Sequence, residues 1–172
     1  EAKSNFSDPG LYMEKLLLNV KHIEVQVLCD SRGNVVCFGE RDCSMQRKHQ
    51  KILEESPCAL VSPQQRGKLI RYARQAMRGV RYEGVGTLEF LMDQQGDFYF
   101  MEMNTRLQVE HPVTEFVSGI DLVKWQIRTA AGVALPVPGF NGPGYPGADF
   151  HDFFSHLRGR GGAVMHGEDT SF

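Results

Sequence analysis

The chain has 172 residues, enough for one modest domain with its own core. Hydrophobic residues make up 41%, charged residues 23%, and the formal charge is −2, an ordinary globular composition that argues against nucleic acid or a membrane surface as partner. No apolar run approaches the ~18 residues of a membrane span, and four cysteines without CxxC spacing point to reduced thiols in a cytoplasmic compartment.

In chain order, residues 2–8 are expected to end a helix closed by Pro9-Gly10, and Leu11–Leu16 to form a short strand. His22–Asp30 alternates, with His22, Glu24 and Gln26 on one face and Ile23, Val25 and Val27 on the other. Ser31–Asn34 reads as a turn and Val35–Gly39 as the returning strand. Glu40–Lys51 reads as a basic loop, and Ile52–Glu55 as a short strand ended by Pro57. Ser62 followed by Pro63 is a helix start. That helix is expected to reach about Arg78, with Leu69, Ile70, Ala73, Ala76 and Met77 inward. A hairpin over Gly86–Asn104 and helices over Pro112–Val117 and Asp121–Ala131 follow. The fold class is therefore α+β, helices flanking an antiparallel sheet. Proline and glycine crowd the chain from Pro136 on, which reads as an extended or disordered tail. This divides the chain into a domain over 1–135 and a tail over 136–172. Glu1 is not an initiator methionine, and the start carries no secretory signal pattern.

The hairpin carries the chemistry. A two-residue loop at Gln95-Gly96 would set Glu89 opposite Glu102, with Asn104 on the same face; a four-residue loop would leave the acids diagonal. Leu88, Phe90, Met92, Tyr99, Met101 and Met103 would line one face, and Leu91, Phe98 and Phe100 the other. Like charges paired across strands repel, and an unpaired carboxylate among apolar neighbours costs several kcal/mol. A divalent cation with hard oxygen ligands, Mg²⁺ or Mn²⁺, would relieve both. The plainer reading is a solvated face with two incidental acids.

Asn104–Pro112 reads as a loop that brings Arg106, Gln108, Glu110 and His111 close to that pair. Arg106 suits a two-pronged hold on a planar anion, and Glu110 a general base. The plainer reading is a surface salt bridge between them. Arg41, Arg47, Lys48 and Lys51, with His49, concentrate positive charge over 41–51. A solvated face, a nucleic-acid patch and an anion pocket all use such a run. No aromatic residues interleave it for base stacking. Cys43 inside this run is either a reactive thiol or a small packing residue.

Two long blocks resemble one family. Met101-Glu-Met-Asn-Thr-Arg-Leu-Gln-Val-Glu-His-Pro-Val-Thr-Glu115 and Glu40-Arg-Asp-Cys-Ser-Met-Gln-Arg-Lys-His-Gln-Lys51 are similar to the signatures of biotin carboxylases, the ATP-grasp components of acetyl-CoA, propionyl-CoA and pyruvate carboxylases. Tyr12-Met-Glu-Lys15, His22-Ile-Glu-Val-Gln26 and Thr87-Leu-Glu-Phe90 fit in the same order, so the resemblance runs from the start to Pro136. It implies the carboxyl-terminal part of an ATP-grasp domain. It implies Glu89, Glu102 and Asn104 at the metal, and His22, Gln46, His49 and Leu91 at the nucleotide. Glu14, Lys15 and Leu17 would form a hinge along the adenine edge. Lys51 would face bicarbonate and the transferred phosphate. Arg106 would hold bicarbonate and later the biotin enolate. Glu110 would deprotonate bicarbonate, with Gln108 and the Val109 backbone orienting it. The implied cofactors are ATP and Mg²⁺ or Mn²⁺, with biotin as carboxyl acceptor. The implied partners are bicarbonate, a biotin carboxyl carrier protein or domain, a carboxyltransferase component and a second copy in a homodimer.

The family's Gly-rich phosphate loop is not in this sequence, which implies a fragment inactive alone. The family also continues beyond Pro136 with a motif like Gly-His-Ala-Ile-Glu-Cys-Arg, which is replaced here, as a shifted reading frame or a truncation would do. Three other readings remain: another ATP-grasp ligase of the carbamoyl-phosphate type, a non-catalytic nucleotide-binding module, and a nucleic-acid binder through 41–51.

Overall fold

A computed structural model describes residues 2–136 and 163–166 of the chain. Its elements are α1 (Ala2–Phe6), β1 (Lys21–Cys29), β2 (Val35–Arg47), β3 (Gln50–Ser56), α2 (Pro63–Val80), β4 (Gly84–Met92), β5 (Phe98–Asn104), α3 (His111–Ser118), α4 (Leu122–Ala130) and β6 (Ala163–His166). The strands form one sheet in the order β5-β4-β1-β2-β3-β6. Every neighbouring pair is antiparallel.

The alternation in β1 decides the two faces. Ile23, Val25 and Val27 are fully buried under α2, together with Leu88, Phe90 and Met92 of β4. Ser62 and Gln65 close a reciprocal capping box at the start of α2, and Pro63 occupies the first turn. Arg66, Leu69, Ile70, Ala73 and Met77 form its buried stripe. Ala76, expected inward, is exposed because it lies on the flank of that stripe. Arg66 is buried because Glu40 of β2 points to the same side, where Arg66 Nε and Nη2 donate to its carboxylate at 2.7–2.9 Å.

The opposite face is split. At one end Leu28, Val36, Phe38 and Val85 pack beneath Ile120, Leu122 and Leu135. Gly119, with φ 69°, ends α3, and the Asp121 side chain caps α4 by accepting from the Lys124 N–H. At the other end the same face carries His22, Glu24, Gln26, Arg41 and Glu89. Among the described residues no helix covers that end in full, and a cleft opens there.

Four expectations need correction. Leu11–Leu16 forms no strand: nothing among the described residues pairs with it, and Leu11, Tyr12, Met13 and Leu16 are 80–98% exposed. Glu40–Lys51 is not a loop. β2 runs to Arg47, turns through Lys48 and His49 with φ 51° and 65°, and returns as β3. Its alternation was hidden because both faces carry charge, Glu40 toward α2 and Arg41 toward the cleft side.

The hairpin reaches its pairing by a different route. Asp93–Asp97 connects β4 to β5, and an irregularity at Met101 restores the register. Beyond it Phe98 and Phe100 pair with Met92 and Phe90, and Tyr99 pairs with Leu91. The faces expected for Phe98, Tyr99 and Phe100 are therefore exchanged. Finally, 163–166 of the expected extended or disordered tail forms β6, paired with Leu53–Ser56 of β3. The rest of the tail lies outside the described residues.

Candidate active site

One rung of the sheet assembles the site. Glu102, Glu89, Glu24 and Arg41 stand opposite one another in turn across β5, β4, β1 and β2. Three adjacent carboxylates on one rung would repel strongly. The fold answers them from the β2–β3 hairpin and from the chain after β5. Lys51 Nζ donates to Glu110 Oε1 at 2.6 Å and to Glu89 Oε1 at 3.3 Å, and also bonds Glu24 Oε1. Arg41, 1% exposed, donates to Glu24 Oε2 at 2.9 Å from the far side.

Glu89 is 3% exposed and is the most heavily solvated by protein. His22 Nε2 lies 2.6 Å from its Oε2, while Asn104 Nδ2 and Gln108 Nε2 donate to its Oε1 at 2.7 and 2.8 Å. Gln46 Nε2 donates to His22 Nδ1 at 2.9 Å, so the proton of a neutral His22 sits on Nε2, facing Glu89. Burial alone would raise the Glu89 pKa, but the His22 hydrogen bond and the Lys51 charge outweigh it and hold the group at about 2. Glu110 follows the same pattern: burial raises it, and its bond to Lys51 brings it below the ordinary carboxylate value. Burial opposes the charge on Lys51, yet Glu24 and Glu110 more than offset this and raise its pKa.

Apart from the buried Glu24 and Arg41, these groups line a cleft of ≈ 580 Å³. Of the residues expected at the site, His22, Gln46, His49, Lys51, Glu89, Leu91, Glu102, Asn104, Arg106, Gln108, Val109 and Glu110 all border it. Glu14, Lys15 and Leu17 do not; Lys15 instead reaches the Tyr99 hydroxyl at 3.0 Å. Arg106 makes no salt bridge with Glu110. Its Nη1 donates to the Leu107 carbonyl at 3.1 Å, and Lys51 occupies Glu110. Of the basic run over 41–51, Lys51 and His49 border the cleft, whereas Arg41 is buried behind it and Arg47 and Lys48 are exposed. Cys43 is fully buried and burial pushes its thiol far up, so it is a packing residue.

The sequence reading missed Glu24, which is fully buried and central to the charge network, and also Val20, Ser44 and Met101 on the cleft wall. Alternation already put Glu24 beside His22. What it could not supply was the pairing of β1 with β4, which sets Glu24 against Glu89.

The electrostatic case for a cation also changes. Glu102 is exposed, and Glu89 already has the Lys51 ammonium and three hydrogen-bond donors, so desolvation does not demand a metal. The donor chemistry still fits one. Glu89 and Glu102 bring hard oxygens to one face of the hairpin, and Asn104 Nδ2 bridges the two acids at 2.7 and 3.4 Å, a place its amide oxygen would take to hold a cation.

A family model described as the carbamoyl-phosphate synthase L chain, ATP binding domain, matches residues 1–137. The chain belongs to that family. Its relatives include biotin carboxylases and the alpha subunits of acyl-CoA carboxylases. The mouse methylcrotonoyl-CoA carboxylase subunit alpha, mitochondrial, is 54% identical over 137 residues, covering 80% of this chain and 19% of that protein. A biotin carboxylase–β,γ-ATP complex from Campylobacter jejuni superimposes with TM-score 0.74 at 57% identity, over 79% of this chain and 30% of the other. The biotin carboxylase domain dimer of Hydrogenobacter thermophilus 2-oxoglutarate carboxylase, in complex with MgADP, ADP and bicarbonate, gives 0.72 at 50% identity, over 78% and 30%. The chain thus spans a fifth to a third of such proteins. The family read from the two motif blocks is the right one, and so is the α+β fold class. Among the described residues no helix is long and apolar enough to cross a membrane.

Proposed function

We propose that this chain is the metal- and bicarbonate-handling part of a biotin carboxylase, an ATP-dependent ligase that carboxylates biotin through carboxyphosphate. The observation that carries the reading is the meeting of Lys51 and Glu110, from segments 59 residues apart, in a cleft also bordered by Arg106, Gln108 and Val109. The bicarbonate and MgADP named for the Hydrogenobacter domain support the ligand classes.

In this reading Glu110 takes the proton of bicarbonate. It is ionised at neutral pH, and an anion that draws Lys51 away from it raises its basicity. The resulting oxyanion attacks the terminal phosphorus of ATP as the bond to ADP breaks; the mixed anhydride then splits into CO₂ and phosphate, the phosphate takes the proton of the biotin ureido N–H, and the ureido nitrogen adds to CO₂. Phosphoryl transfer of this kind depends on fixed positive charge and alignment. Lys51 supplies the charge, while Gln108 and the Val109 backbone orient the acceptor. The exposed Arg106 guanidinium holds the planar anion, first bicarbonate and then the biotin enolate. His22, Gln46, His49 and Leu91 border the nucleotide, and Glu14, Lys15 and Leu17 form the adenine-edge hinge once the upstream part of the domain is present. Glu89, Glu102 and Asn104 hold Mg²⁺ or Mn²⁺, which neutralises the phosphates when bound.

The family's pattern ends near residue 135, and the segment after it, which adds β6 to the sheet, is not part of that pattern. The fragment alone is inactive, and its partners in the parent enzyme are a biotin carboxyl carrier protein or domain, a carboxyltransferase component and a second copy. Four buried cysteines suit a reducing compartment, the cytoplasm or an organelle interior such as that named for the mouse relative. The test is to recover the full reading frame and measure bicarbonate-dependent ADP release with free biotin. Release from that protein and none from the 172-residue chain is expected. Nucleotide binding without any bicarbonate-dependent cleavage in the full frame would favour a non-catalytic module.

A further inference from the structure

Arg41 is the largest fully buried side chain among the described residues, and it does not border the cleft. Its guanidinium nevertheless bonds two groups that do the cleft's positioning. Nη2 donates to Glu24 Oε2 at 2.9 Å and to Gln108 Oε1 at 3.2 Å. Nη1 donates to Gln26 Oε1 and to Thr114 Oγ1, both at 2.8 Å, which ties the sheet to α3. Arg41 Nε finds no acceptor. A buried guanidinium with an unmet N–H is a poor stabiliser compared with an apolar side chain of similar size. Its burial therefore calls for another reason.

The hydrogen-bond directions supply one. An arginine only donates, so the Gln108 atom facing it must be the carbonyl oxygen. That leaves the amide nitrogen no choice but to face Glu89, to which it donates at 2.8 Å. Likewise, Arg41 takes one oxygen of Glu24 and leaves the other for Lys51. We propose that Arg41 is a positioning residue: it fixes the amide orientation of Gln108 and the free oxygen of Glu24, and through them sets Glu89 and Lys51 for the anion. The effect on catalysis rests on the biotin carboxylase reading; the effect on Gln108 does not.

The experiment has two arms. In the 172-residue chain, the Gln108 side-chain amide is followed by NMR. The native chain should give a dispersed, slowly exchanging NH₂ pair. Arg41→Lys, which keeps the charge but loses the fork, should collapse it to a freely exchanging pair while backbone spectra stay folded. In the full-frame enzyme, Arg41→Lys should raise the bicarbonate KM roughly tenfold, the equivalent of one lost hydrogen bond to a charged group, and change the ATP KM less than about twofold. If Arg41→Lys does not fold, Thr114→Val decides: it removes one anchor of Nη1, lies outside the cleft, and should give the same signature in weaker form. A native-like Gln108 amide pair in these variants overturns the proposal. A changed amide pair with an unaltered bicarbonate KM overturns its catalytic half. Absence of bicarbonate-dependent turnover in the unaltered enzyme strikes the functional reading and leaves the NMR arm standing.

Discussion

Lys51 Nζ meets Glu110 Oε1 at 2.6 Å, from the start of β3 to the residue that precedes α3. The same ammonium also serves Glu24 and Glu89, so one cation holds three buried carboxylates together. Lys51→Met should therefore destabilise the chain by about 3 kcal/mol, the usual result of removing one partner from a buried ion network. Urea unfolding measures this. A midpoint unchanged from the native chain would mean that the carboxylates find other partners.

Acid should loosen the fold through Glu89. Its native pKa of about 2 lies below the ordinary 4.5, so its contribution is complete above pH 4.5 and is lost as pH falls toward 2. The ceiling is about 3 kcal/mol. Lys51 works in the other direction: its pKa is raised above 10.5, so its contribution is complete below that pH and is lost as the pH climbs past it. Stability from these two groups is thus flat between about pH 4.5 and 10.5. Denaturant midpoints between pH 3 and 7 should fall less steeply on acidification in Glu89→Gln. An acid limb as steep as in the native chain would assign the loss elsewhere.

Much of this was legible in the chain, and the failures share a cause. The sequence left the two acids of the hairpin opposite or diagonal on one face; they stand opposite, through a five-residue connection and an irregularity at Met101 that were not foreseen. Two displacements cancelled at Glu89 and Glu102 and failed to cancel at Phe98–Phe100. The strand in Glu40–Arg47 escaped notice because binary patterning sees apolar against polar, and here one polar face meets Arg66 and the other meets Glu24. Charge neutralisation was beyond reach because it depends on which strands are neighbours. Motif order, by contrast, carried the cleft: residues spread from His22 to Glu110 arrive in one place.

Glu89 and Glu102 should separate in their effects. Glu102 is exposed, and Asn104 Nδ2 at 3.4 Å is the one hydrogen-bond partner of its carboxylate among the described residues. Glu102→Gln should cost less than about 0.5 kcal/mol of stability, as exposed substitutions do. In the full-frame enzyme the same change should abolish Mg²⁺-dependent ATP turnover, because it removes a hard anionic ligand. Turnover at the native rate would refute the metal role of Glu102, and the small stability cost ensures that misfolding does not explain a loss.

The thiols should be inert. Cys29, Cys37, Cys43 and Cys58 are all buried, and burial pushes Cys29, Cys37 and Cys58 up to about 12 and Cys43 higher still. Ellman's reagent at pH 8 should label none of them in the native chain and all four in denaturant. Fast labelling of Cys43 alone would restore it as a reactive group within the basic hairpin.

The edge of the sheet offers the last test. β3 donates its outer side to Ala163–His166, so Leu53–Ser56 is shielded by residues beyond the family match at 137. An open edge strand is a template for pairing with another chain. A chain ending at Pro136 should therefore self-associate as its concentration rises, while the 172-residue chain stays monomeric under the same conditions. Sedimentation velocity across a concentration series distinguishes them, and amide exchange at Leu53–Ser56 should quicken in the shorter chain. Equal sedimentation and equal protection in both would mean that β6 does not hold that edge in solution.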